Sequence, residues 1–540
     1  MKLAKKILQD NRRLQSEAFC WTRGWTLDNI EKINLVRSRR EEAKKGGGLD
    51  RIEKQHKSGK LTARERLDLL LDPGSFIELG MFVTPQATSF AGSGKTYFGD
   101  GVVTGSGLIE GRKVFVFAQD FTVMGGSLGE EHAKKICLVM DKAIQTGSPI
   151  LGLIDSGGAR IQEGLGYYGS IFYRNTLAAG VVPQISVIVG PCAGGAVYSP
   201  ALSDFVFMVE GIGRMHITGP EVIKAITGEK VTSEELGGAK VHFTRSGVSH
   251  FVSKGEKECS ALVKDLLSYL PSNNREPAPR RSTEDPVNRM EEELQTLIPD
   301  DPKKSYDMKK LIRLVVDDRA FLEVQEGFAK NIIIGFARLH GNTIGIIANQ
   351  PLVFAGCLDI NASAKAARFI RFCDAFGIPI VNFVDCPGYL PGTQQEYGGI
   401  IRHGAKMLYA YCEATVPRIS VVTRKIYGGA MSGMAVSKLV GTDLTAVLPM
   451  TEMGLMGPDG AVNVLFKEEI EKAENPQAMR AEKIRLYREE FANPYKAAGK
   501  GWVDVIIEPK EVRPFLITSL ERLRGKEEIR PKRKHGTIPL

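Results

Sequence analysis

Two glycine pairs are the residues best placed for chemistry in this 540-residue chain. The first is Gly194-Gly195, in the run Gly190-Pro-Cys-Ala-Gly-Gly-Ala-Val-Tyr-Ser-Pro200. The apolar stretch Val181 to Val189 ahead of it reads as a fully buried strand, and the small residues Ala196 to Leu202 suit the first turns of a helix. A strand, two glycines and a helix start leave bare backbone N–H groups at the positive end of a helix, which can hold a negative oxygen. Glycine is needed there because a side chain would block the approach. The second copy is Gly428-Gly429-Ala430, behind the apolar run Thr415 to Val422, and one constant offset carries both Val182-Pro183 onto Val416-Pro417 and Gly194-Gly195 onto Gly428-Gly429. One reading is that such turns serve packing alone and reflect shared ancestry. Two oxygen-binding turns point instead to a reaction that forms two oxyanions.

A third glycine turn, Ser156-Gly157-Gly158-Ala159-Arg160, carries one arginine. It can face a phosphate or thioester, or simply cap a helix; its place in the repeat beside Gly194 favours a site role. The rest of the chain offers little acid–base or metal chemistry. The eight cysteines, at 20, 137, 192, 259, 357, 373, 386 and 412, form no Cys-x-x-Cys pair, and the eight histidines form no His-x-x-x-His pair. A metal-free protein in a reducing compartment, the cytoplasm, is expected. Ala91-Gly-Ser-Gly-Lys-Thr96 imitates a phosphate loop, but Ser89 occupies the place of its first glycine, so that reading is rejected.

The elements that must position these turns repeat as well. Gly147 to Gly158 resembles Gly377 to Gly388, and Gly219-Pro220 matches Gly457-Pro458, at offsets that drift only as small loop changes would make them. The chain therefore reads as two tandem copies of one α/β domain with largely parallel, buried sheets. Residues 1–30 read as an N-terminal helical arm with Trp21 and Trp25 as packing anchors, 31–270 as the first domain, 271–305 as a proline-rich linker and 306–540 as the second domain. Thr62-Ala-Arg-Glu65 fits a capping box. The net charge of +9 peaks in the tail Arg530 to His535, read as solvated. No aromatics interleave a basic stripe, which argues against nucleic acid; a mildly basic surface suits a polyanion such as coenzyme A. No apolar run is long enough to span a membrane, and the N-terminus lacks the apolar core of a signal peptide.

The motifs Gln119-Asp-Phe-Thr-Val123, Asp155 to Gly164, Gly190 to Ala201, Asn349-Gln-Pro351, Gly356-Cys-Leu-Asp-Ile360, Gln395 to Ala405 and Lys534 to Leu540 closely resemble the carboxyltransferase (β) subunits of biotin-dependent acyl-CoA carboxylases, of the propionyl-CoA type. The resemblance runs from about residue 33 to the end. It implies two crotonase-like (ββα spiral) domains and a homo-oligomer, a hexamer built as a trimer of dimers. By position, Gly194 and Gly195 would hold the thioester oxygen of an acyl-CoA, and Gly429 and Ala430 the ureido oxygen of biotin. Ser156 to Arg160, Gly428, Met431 and Ser432 would line the two ligands. Met431 and Ser432 stand where the family carries Tyr and Asp, beside the turn that bears on acyl-chain preference, and the loop Glu163 to Gly169 looks shorter than in the family.

The chain has no biotin attachment motif; Lys406-Met407 lacks the preceding Met. Biotin carboxylase and the biotin carrier protein are therefore expected as separate partners. Three alternatives stand beside this reading. One is the same chemistry run backwards, in a decarboxylase or transcarboxylase. Another is a non-catalytic acyl-CoA-binding scaffold. The third is a hydratase or isomerase, which would need a side-chain acid/base pair that the sequence does not offer.

Overall fold

The computed structural model describes residues 27–85, 97–163 and 167–540. Residues 1–26, with Trp21 and Trp25, lie outside the described residues, as do Ala91 to Thr96 and the middle of the loop Glu163 to Gly169. The described chain opens on helix Asn29–Lys44, started by a capping box between Asp28 and Glu31. The box at Thr62 and Glu65 is present and starts helix Ala63–Leu70.

Two eight-stranded sheets follow. The first contains β1 (Ile77–Leu79), β2 (Val102–Ile109), β3 (Arg112–Gln119), β4 (Ile150–Ser156), β5 (Gln184–Ala193), β6 (Phe205–Val209), β7 (Arg214–His216) and β8 (Phe251–Ser253). The second contains β9 (Phe321–Val324), β10 (Ile332–Leu339), β11 (Asn342–Asn349), β12 (Ile380–Cys386), β13 (Arg418–Tyr427), β14 (Leu444–Val447), β15 (Glu452–Gly454) and β16 (Val505–Ile506). Their strand orders are β1-β2-β3-β4-β5-β6-β8 and β9-β10-β11-β12-β13-β14-β16, with β7 on β5 and β15 on β13. In each, the first three strands are antiparallel and the rest parallel. The central strands are mainly apolar and almost wholly buried, as parallel strands under helices are.

The repeat extends to irregularities. The register shifts between Ile154 and Ser156 in the first sheet and between Val384 and Cys386 in the second. A buried lysine on each covering helix, Lys135 and Lys365, spends its ammonium on backbone carbonyls. The two halves are not separately cored. Phe205 of β6 lies 4.8 Å from Phe372 and 6.0 Å from Phe336 between ring centroids, within one apolar cluster that spans both sheets.

The segment 271–305 is more tightly held than its proline-rich composition implies. Asn273 donates to the Gly147 carbonyl at 3.0 Å, the Arg281 N–H to the Gly341 carbonyl at 3.0 Å, and Leu294 and Ile298 are buried in the second half. Arg289 and Asp285 pair with each other, and the buried Arg513 donates to the Asp285 and Pro286 carbonyls.

Candidate active site

Both glycine pairs sit where a long central strand ends. β5 runs on through Pro191, Cys192 and Ala193 because the short β7 pairs with these last residues, so the strand outlasts its apolar run. The chain then turns at Gly194, with φ +60°, into a tight helical turn Gly194–Val197 and the helix Tyr198–Leu202. In the second half β13 ends at Tyr427, the corner is Gly428 with φ +56°, and helix Ala430–Gly433 follows. A left-handed corner without strain calls for glycine at both places. The Gly428 N–H is tied to the Gly454 carbonyl of β15 at 3.0 Å, and Met431 N–H to the Gly428 carbonyl at 3.1 Å.

In the second half the N–H groups of Gly429 and Ala430 open the helical turn without an intrahelical acceptor. In the first half the tight turn already starts at Gly194, so the N–H groups without an intrahelical acceptor are those of Gly194 and Gly195, and Ala196 N–H closes onto the Ala193 carbonyl. By spacing Gly195-Ala196 matches Gly429-Ala430, so the two open pairs stand one position apart. The second glycine of each pair reaches the surface, while Ala196 and Ala430 are buried beneath it. Met431 and Ser432 sit half-buried on the following turn, and the Met431 carbonyl accepts from Val436 N–H at 2.8 Å.

The turn Ser156 to Arg160 is largely committed to holding its neighbours. Gly157 N–H donates to the Gly125 carbonyl at 2.9 Å and Gly158 N–H to Ser156 Oγ at 3.1 Å. Arg160 is buried: it bonds Asp100 Oδ1 at 2.7 Å, Glu163 Oε1 at 2.6 Å and the Ser127 carbonyl at 2.9 Å. Its guanidinium therefore fastens the loop, and of this turn Gly157 and Ala159 alone are exposed. Burial raises the Asp100 carboxyl above the ordinary range, with Arg160 opposing it.

Three features escaped the sequence. The first is Asp155, wholly buried below the Ser156 turn. It takes Lys60 Nζ at 2.8 Å, Arg66 Nη1 at 2.9 Å and Gln55 Nε2 at 3.0 Å, and a Cβ on Gly190 would overlap its carboxylate. Asp385 is its counterpart in the second half and pairs with Arg424 Nε at 3.1 Å. Burial pulls the Lys60 ammonium below the ordinary lysine range, and Asp155 opposes that shift.

The second is a 620 Å³ cleft beside the Met124–Gly126 turn. Arg51, Lys54, Lys60 and Arg214 line it together with Phe121 and Ile212. It shares Gly125 and Pro191 with the approaches to the Ser156 and Gly194 turns. The third is a pair of tyrosines, Tyr168 and Tyr389, lying against Gly195 and Gly429. No helix among the described residues is long and apolar enough to cross a membrane, and no group of three or more His, Cys, Asp or Glu among them is placed to hold a metal ion.

Comparison with known proteins matches this geometry to one family. The model of the carboxyl transferase domain matches residues 54–538. The propionyl-CoA carboxylase carboxyltransferase subunit of Haloferax mediterranei is 57% identical over 513 residues, 94% of this chain and 99% of that protein. The methylmalonyl-CoA decarboxylase subunit alpha of Veillonella parvula is 56% identical, again over 94% of this chain and 99% of that protein. A solved structure of transcarboxylase 12S, a hexamer with methylmalonyl-coenzyme A and methylmalonic acid bound, is 50% identical and superposes with a TM-score of 0.93 over 95% of this chain and 99% of that one. With its two crotonase-like halves and paired glycine turns, the chain belongs to the carboxyl transferase family and is an enzyme subunit of that kind.

Proposed function

We propose that the chain is the carboxyltransferase subunit that moves a carboxyl group from carboxybiotin, borne by a separate carrier protein, to the α-carbon of a short, propionyl-like acyl-CoA. The observation that carries this reading is the recurrence of one N–H turn at the same point of two identically connected sheets. Carboxybiotin supplies the carboxyl group and, once it has lost CO2, the base. The chain supplies places for charge. The N–H groups of Gly429 and Ala430 hold the ureido oxygen, and those of Gly194 and Gly195, with Ala196 beneath, hold the thioester oxygen as it becomes an enolate. A preorganised pair of donors is suited to an oxygen that gains charge in the transition state. Such a reaction needs no side-chain base, which agrees with turns built from glycine and alanine.

The basic cleft supports the coenzyme A half of the reading. Arg51 and Lys54 are exposed along it, and Phe121 and Ile212 add apolar surface where a nucleotide's base can lie. Biotin carboxylase and the biotin carrier act as separate partners, the working assembly is a hexamer whose cradles face one another across protomers, and no metal takes part. The compartment is the reducing cytoplasm; the seven described cysteines are free. A second reading, the reverse direction in a decarboxylase or transcarboxylase, is favoured by the methylmalonyl-CoA decarboxylase and transcarboxylase relatives. A panel of acyl-CoAs offered with carboxylated carrier tests the proposal. The expected product is methylmalonyl-CoA from propionyl-CoA; binding of acyl-CoA with no carboxylated product and no α-proton exchange would leave only a scaffold.

A further inference from the structure

A glycine turn has no side chain to hold its own peptide plane, yet an N–H cradle needs its direction fixed to a fraction of an ångström. In both halves a tyrosine ring lies on the turn. A Cβ built on Gly195 would stand 3.0 Å from Tyr168 Cδ2 and 3.4 Å from its Cε2. A Cβ on Gly429 would stand 3.8 Å from Tyr389 Cε2, and one on Gly433, in the same turn, 2.6 Å from the Tyr389 hydroxyl. The rings arrive by different routes. Tyr389 belongs to the loop after β12, bridged to Leu358. Its counterpart in the first half, at the equivalent place after β4 and bridged to Leu128 in the same way, is Ala159, which has no ring. There Tyr168 comes instead from helix Tyr167–Ala178.

Tyr168 is itself clamped. It stacks on Phe172 with centroids 5.9 Å apart and planes at 16°, and Phe172 meets Tyr198, on the helix that follows Gly195, edge-on at 5.9 Å. Both oxygens are buried; among the described residues the Tyr389 hydroxyl has no hydrogen-bond partner, and the Tyr168 hydroxyl reaches no more than a marginal one in Ser156. Burial raises both phenols, Tyr389 to about 12, so both stay protonated. A buried hydroxyl paired weakly or not at all is a cost, so what the site retains is the ring face.

We infer that Tyr168 and Tyr389 are positioning residues whose rings, not hydroxyls, set the direction of the N–H groups at Gly195 and Gly429. The inference rests on the carboxyltransferase reading and deepens it. Misplacing reacting groups by about 1 Å can cost on the order of 10²-fold in rate, so loss of a ring falls on kcat and not on ligand affinity.

The test is transfer from methylmalonyl-CoA to free biotin by the purified full chain, read as propionyl-CoA release. Tyr168→Leu is expected to lower kcat at least tenfold with the acyl-CoA KM within twofold, and Tyr168→Phe to recover kcat to within threefold of the unmodified chain. Tyr389→Leu is expected to lower kcat in the same way. A folded Tyr168→Leu with unchanged kcat overturns the inference, as does a change confined to KM. A Tyr168→Phe as slow as the Leu variant would assign the work to the hydroxyl and overturn it too. If Tyr168→Leu does not fold, Tyr168→Met fills similar volume without a planar face; it must show the same drop in kcat, and an unchanged rate in it is equally fatal. The unmodified chain separates the two levels: no transfer at all removes the proposed function, whereas transfer that survives loss of the ring removes only this inference.

Discussion

Replacing Ala430 by proline isolates one donor of the second cradle. Ala430 is the first residue of helix Ala430–Gly433, where proline is well tolerated because the amide there bonds nothing within the helix. Gly429 ahead of it has φ −60° and ψ −21°, a region normally disfavoured before proline, in part through the preceding Cβ, which glycine lacks. The backbone can therefore stay in place while the amide hydrogen gives way to the ring Cδ. Loss of a single oxyanion donor typically costs about 10²–10³ in kcat, or about 3–4 kcal/mol of transition-state stabilisation. The assay is steady-state transfer from methylmalonyl-CoA to free biotin, beside calorimetric binding of propionyl-CoA and a thermal melt. Expected are a kcat reduced by that factor, an acyl-CoA Kd within twofold of the unmodified chain, and a melting midpoint within a few degrees. The binding term stays constant because Gly194 and Gly195 belong to the other sheet. A folded Ala430→Pro chain that transfers at the original rate would refute the two-cradle mechanism.

Reversing charge along the cleft with Arg51→Glu and Lys54→Glu is expected to raise the acyl-CoA KM about tenfold each at low salt, with kcat little changed and the effect shrinking at high salt; steady-state titration over ionic strength checks it. Asp155→Ala leaves Lys60 and Arg66 buried without their shared counter-charge, so a loss of about 3–5 kcal/mol is expected in urea unfolding. Asp204 carries a carboxyl that burial lifts to about 7. Between the ordinary carboxylate range and about pH 7 the folded state holds a proton that the unfolded state has lost, so this group's contribution to stability falls as pH rises through that window. Asp204→Asn removes that fall: it should be more stable than the unmodified chain at pH 8, by at most about 4 kcal/mol, and no more stable near pH 3. Melts across the range decide it, and equal pH profiles would count against a raised Asp204 carboxyl.

The corners at Gly194 and Gly428 were legible in the sequence because only glycine takes that backbone cheaply, and a spacing kept over two halves is hard to produce otherwise. The apolar runs of β4, β5, β12 and β13 were legible for a similar reason: strands buried on both faces are mainly hydrophobic. What failed to show was everything decided by distant partners. Arg160 looked like a ligand contact because its main counter-charge, Asp100, lies far back along the chain on another loop. The 271–305 segment looked loose because its polar groups find partners near the far end of the chain, Asp285 and Pro286 at Arg513. Tyr168 stood unremarked inside the loop Glu163 to Gly169, and the glycine it covers lies beyond the whole of β5.

The repeat also shows what each half had to keep and what it was free to change. The same carboxylate sits below the same turn in both, but the groups that neutralise it differ. In the first half Lys60, just ahead of helix Ala63–Leu70, and Arg66, on that helix, converge on Asp155, and Lys60 also lies 4.1 Å over the Phe121 ring at the basic cleft. In the second half Arg424 comes from β13 itself, the Lys425 N–H adds a bond at 3.2 Å, and Tyr306 enters as the Arg424 guanidinium's ring partner at 5.1 Å. The first arrangement brings a lysine from the support of the turn to the wall of a cation-lined cleft. A polyanionic coenzyme needs such a wall; a neutral ureido ring does not. The divergence beneath the two turns thus follows the difference between the ligands proposed to lie above them.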